Sequence, residues 1–84
     1  MMFLISEGWS HIFPGFGERV VRFVFDTNTR CITKMHIASN GRWALATPEQ
    51  MEDVGRSVID NLDMADPLEL GMTYSTEEPD WVKE

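Results

Sequence analysis

The side chains able to do chemistry in this chain are few: one cysteine, Cys31, two histidines, His11 and His36, and fourteen carboxylates. Nucleophilic catalysis needs a nucleophile, a base within reach and a group that orients the base. Cys31 and His36 lie in a stretch that reads as one strand, Arg30 to Ala38, where a spacing of five residues sets them on opposite faces. They read as a small buried thiol and a partly exposed imidazole, not as a pair. His11 falls in an aromatic, glycine-rich segment and would need a distant carboxylate that the sequence does not specify. Two histidines are too few for a typical zinc centre, so carboxylates would have to complete it. Asp60, Asp63 and Asp66 are spaced by three, but they lack the glycine turn and distal glutamate of a calcium loop. Gly15-Phe16-Gly17 is half of a dinucleotide fingerprint, without the next glycine or the helix start that gives it meaning. We therefore expect no catalytic residue, no cofactor and no metal, and read the chain as non-enzymatic.

What remains is the carboxylates, and the element that must position them is a helix. Thr47-Pro48-Glu49-Gln50 supplies an N-cap, a proline at the first helical position, an acid in the first turn and a capping-box glutamine. From Pro48 to Leu62, at about 100° per residue, Met51, Val54, Val58, Ile59 and Leu62 gather on one side. Glu49, Glu52, Asp53, Asp60 and Asp63 fall within an arc of roughly 100° on the other. Arg56 alone interrupts that arc, four residues from both Glu52 and Asp60. The helix is amphipathic, with an acidic ridge.

The apolar side needs a sheet to dock on. Met2–Ser6 reads as a short buried strand, and Gly8–Gly17 as a loop carrying Trp9, Phe13 and Phe16. Arg19–Phe25 alternates, with Val21, Phe23 and Phe25 on one face. Asp26–Thr29 is a turn by composition. In Arg30–Ala38, Cys31, Thr33, Met35 and Ile37 share a face. Asn40-Gly41 is the strongest local hairpin signal, a type I′ turn leading into Arg42–Ala46 and pairing Ala38 with Trp43 and His36 with Leu45. Trp43 reads as a core residue. Asp66–Leu70 repeats the cap-proline-acid pattern for one helical turn, and Met72–Ser75 can add an edge strand. The expected architecture is α+β: an antiparallel meander of about four strands packed on one amphipathic helix. A single domain spans 1–84, ending in a short acidic tail from about residue 76. Trp81, in that tail, either pins it to the body or serves as an interface anchor.

Size and charge bound the function. Eighty-four residues make one domain, and 43% hydrophobic content is ample for a core. One cysteine excludes a disulfide framework and fits a reducing compartment. The N-terminal apolar run lacks the features of a signal peptide, so a cytoplasmic location is expected. Residues 1–47 hold 5 Lys/Arg and 3 Asp/Glu, while residues 48–84 hold 2 and 11, giving net charges of +2 and −9 and the −7 of the whole chain. This acidity argues against direct contact with nucleic acid or with anionic membranes.

The length, the strand meander ending at Thr47, the capped helix from Pro48 and the surplus carboxylates together resemble a type of protein: the short acidic inhibitors of host defence made by phages and plasmids, of anti-CRISPR or antirestriction kind. Asp66-Pro67-Leu68-Glu69-Leu70-Gly71 and Thr76-Glu77-Glu78-Pro79-Asp80-Trp81 look like the endings of mobile-element proteins. The resemblance implies a non-catalytic inhibitor, a basic protein or nucleoprotein complex as partner, and the cytoplasm of a bacterial host. It carries over no residue roles. The ridge itself nominates the contact surface, Glu49, Glu52, Asp53, Asp60 and Asp63, with Trp81 as anchor. The alternative is an accessory or structural interaction protein, monomeric or paired as a homodimer through a sheet edge.

Overall fold

The computed structural model describes residues 2–84; Met1, where the apolar N-terminal run begins, lies outside them. Strands β1 (Phe3–Phe13), β2 (Gly17–Asp26), β3 (Cys31–Ser39) and β4 (Arg42–Leu45) precede helix α1 (Pro48–Leu62). A short β5 (Thr73–Ser75) and a 3-10 helix (Asp80–Lys83) follow. All strand pairs are antiparallel, in the order β4-β3-β2-β1-β5. The α+β meander is as expected, with β5 as a fifth strand at the edge beside β1. No helix among the described residues is long and apolar enough to cross a membrane.

Local chemistry accounts for the clearest elements. Asn40 and Gly41 take φ of 51° and 77°, the left-handed pair a type I′ turn demands, and the β3–β4 register follows, with Ala38 opposite Trp43 and His36 opposite Leu45. At the start of α1 the Gln50 N–H donates to Thr47 Oγ1 at 3.2 Å, and the Thr47 N–H donates to Gln50 Oε1 at 2.8 Å. The helix lays Val54 and Val58, both without exposed surface, on Leu4, Phe13, Val21, Phe23, Phe25, Ile32 and Met35. Gly55 lies over Ile32, where a Cβ would make an ordinary van der Waals contact at 3.9 Å, so the approach of helix to sheet does not depend on the glycine.

Three expectations are corrected. The segment Gly8–Gly17 is not a loop, because β1 runs on to Phe13 and only Pro14–Phe16 turn. A bulge makes this work: Ser6 pairs with Phe23 and Trp9 with Val21, so β1 holds one more residue than β2 across Glu7-Gly8. The extra residue changes which parity faces the helix, from Leu4 and Ser6 to Trp9, His11 and Phe13. A second irregularity lies between Val24 and Phe25, opposite Lys34 and Ile32. It sends Ile32 into the core and leaves Cys31 exposed, while His36 is buried, the reverse of the thiol and imidazole placement read from simple alternation. Finally, Trp43 is not a core residue: β4 is an edge strand, and the indole remains 39% exposed.

The other face of the sheet has its own small core. Phe3 and Val24 pack with Trp81, and Ile5 and Val82 lie against them. The acidic ending is thus folded onto the sheet as a 3-10 helix, and Trp81 pins it there.

Candidate functional site

The extension of β1 and the cap of α1 bring two parts of the chain together. The β1–β2 hairpin tip contributes Phe13, Pro14 and Phe16, and the first half of the helix contributes Glu49, Glu52, Asp53 and Arg56. Between them is a cleft of about 570 Å³. Phe13 is buried and anchors the tip, whereas Phe16, at the turn, is 64% exposed.

The ridge residues differ in how available they are. Glu49 is exposed in the first turn of α1. Glu52 accepts from the Arg56 guanidinium at 2.7 Å, with both side chains more than 60% exposed, so the pair is held weakly. Asp53 is different: its carboxylate meets His11 Nε2 at 2.9 Å, and Arg56 lies 3.6 Å away. The His11 side chain is only 12% exposed and stacks edge-on against Phe13, with centroids 4.7 Å apart. The bulge in β1 is what turns His11 toward the helix. Asp53 therefore ties helix to sheet and does not simply point away from the core, contrary to expectation. Asp60 and Asp63 continue the exposed ridge beyond the cleft, and Asp63 is also the C-cap of α1. The structure brings Glu49, Glu52 and Asp53 together with aromatic side chains and leaves Asp60, Asp63 and Trp81 elsewhere.

Trp81 belongs to a second cluster, on the opposite face of the sheet. Its ring lies 4.6 Å from the Arg22 guanidinium carbon, and Trp43 approaches the same group at 4.7 Å, so the cation sits against both indoles. Arg22 Nε donates to His36 Nδ1 at 3.0 Å, and its Nη2 donates to Glu84 Oε1 at 2.8 Å. His36 Nε2 faces the Glu84 carbonyl at 3.3 Å. An imidazole that accepts at Nδ1 and donates at Nε2 is neutral. Burial foremost, with Arg22 and Lys34 adding to it, holds the His36 pKa below its ordinary 6.5, although Glu84 pulls the other way. A depressed histidine pKa means that the unfolded chain takes up a proton first. The contribution of neutral His36 is complete above pH 6.5 and is lost as pH falls toward the folded value. Urea midpoints should therefore drop between pH 7 and pH 5.5, and His36→Gln, which can still accept from Arg22, should show a smaller drop.

Among the described residues no group of three or more His, Cys, Asp or Glu is placed to hold a metal ion. The cleft offers carboxylate oxygens and aromatic faces, the combination that receives cationic side chains. Two features of the site were beyond the sequence reading: the joining of hairpin and helix, and the role of His11. The signal for both is the alternation Trp9, His11, Phe13, which is strand-like once a bulge at Glu7-Gly8 is allowed. Compared with known proteins, the chain matches no family model, no curated protein and no solved structure.

Proposed function

We propose that this protein is a non-catalytic, protein-binding inhibitor that uses the acidic outer face of α1 to engage a basic, nucleic-acid-handling host-defence complex in the cytoplasm of a bacterial host. The observation that carries the reading is the cleft, where Glu49 and Glu52 stand opposite the exposed Phe16. A partner surface that holds nucleic acid presents Lys and Arg, and carboxylates flanking an aromatic ring match such side chains in charge and in shape. Asp60 and Asp63 prolong the negative surface along the helix and favour fast encounter with a positive one.

The test is a charge reversal that spares Asp53, since that residue braces the fold. Glu49→Lys, Glu52→Lys and Asp60→Lys together should leave thermal melting nearly unchanged, because all three side chains are exposed. The wild-type protein, expressed in bacteria with restriction or CRISPR immunity, should raise phage plating efficiency; the triple variant should not. A triple variant that folds and still protects phage fully would reduce the ridge to a solubilising face. The alternative, an accessory or structural protein that pairs with itself, draws on a different part of the surface.

A further inference from the structure

The sheet face opposite α1 is only half covered. Trp81 and Val82 close it over Phe3, Ile5 and Val24, but Ile12, Val20, Trp43 and Leu45 on the same face stay 71, 43, 39 and 66% exposed. Trp43 and Leu45 belong to β4, which among the described residues pairs with β3 alone and so leaves one row of backbone N–H and C=O groups without a neighbouring strand. β4 carries no lysine, proline or bulge; its length of four residues and the charge of Arg42 limit, but do not block, the addition of a further strand.

We propose that β4 and the apolar face beside it form the interface through which two copies of this chain pair, edge to edge and antiparallel. Self-complementarity of the edge, not charge, argues for a second copy as the occupant. The chain carries −7 overall, yet the carboxylates of α1 lie on the far side of the sheet. At the border of the open face, Glu84 is already paired with Arg22 at 2.8 Å, and Glu18 and Lys34 oppose each other in sign. The tail folded on the same face adds Glu77, Glu78 and Asp80 against Lys83, so the pairing should tighten as salt screens them. The complementarity is geometric. A two-fold axis normal to the sheet at Ala44 sets Trp43 of one copy opposite Leu45 of the other, twice, so that apolar meets apolar by symmetry. Trp43 is prepared for this contact, since the guanidinium of Arg22 fixes one face of its ring at 4.7 Å. The pairing would merge two five-stranded sheets into one and leave both acidic clefts free, and it stands independently of the inhibitor reading.

Sedimentation equilibrium of the full chain from about 1 μM to about 1 mM should show a monomer–dimer equilibrium within that range. Leu45→Lys, at an exposed site, should raise the dissociation constant by about tenfold or more while leaving the circular dichroism melt of the monomer unchanged. Met64→Lys, at an 87% exposed apolar side chain away from β4, should leave the constant as it was. A wild type that stays monomeric throughout overturns the proposal. So does a dimer that Leu45→Lys does not weaken, or one that Met64→Lys weakens equally.

Discussion

Val58→Asp unfolds the domain at ordinary temperature. Val58 has no exposed surface and lies with Val54 at the centre of the contact between α1 and the sheet. Losing its burial removes about 1.5–3 kcal/mol. The new carboxylate adds a penalty of several kcal/mol more, because a charge in that interface would have no partner. A chain of this size holds roughly 4–12 kcal/mol in total, at about 0.05–0.15 per residue, so the two costs together consume most or all of it. Loss of the cooperative thermal transition, followed by circular dichroism, is the expected reading. A variant that melts like the wild type would show that the helix does not dock through this side chain.

Trp81→Ala costs about 3–5 kcal/mol, the range for removing a buried aromatic side chain, although the residue lies in a stretch that reads as a solvated acidic tail. The indole is 8% exposed, closes the second core over Phe3 and Val24, and covers one side of the Arg22 cation. Its removal exposes that core and leaves Arg22 facing Trp43 alone. Trp81→Phe should cost much less, because the indole Nε1 is buried without a hydrogen-bond partner and a phenyl ring gives up no such bond. Urea denaturation of the two variants measures the difference. If Trp81→Ala shifts stability by less than about 1 kcal/mol, the 3-10 helix does not fold as one unit with the sheet.

The elements that were legible are those whose signals are local. The capping box at Thr47 and the Asn40-Gly41 turn satisfy their own geometry within four residues, so α1 and the β3–β4 register emerge from the sequence directly. What was not legible depends on irregularity or on distance. Strict alternation fails at Thr33, where one extra residue moves Cys31 onto the same face as His36, while His36 is buried by Trp81 and Glu84 folding over it. The His11–Asp53 contact spans 42 residues, and Arg22–Glu84 spans 62, so no window of sequence contains either. The destination of Trp81 depended on which sheet face had been left open, a property of the assembled sheet. The acidic ridge was visible as a helical pattern, but its division into a braced Asp53 and free neighbours appears only once β1 reaches the helix.

The bulge in β1 separates two things usually treated as one, the identity of residues and their number. Glu7 and Gly8 are exposed, and a Cβ added at Gly8 would meet nothing within 4 Å, so their side chains are close to arbitrary. Their count is not. Remove one and everything from Trp9 to Phe13 reverses sides: His11 leaves Asp53, Phe13 leaves the core, and Ile12 enters it. A two-residue stretch that substitution scanning would score as unimportant is thus the place where a one-residue deletion dismantles one wall of the cleft. Its information lies in its length.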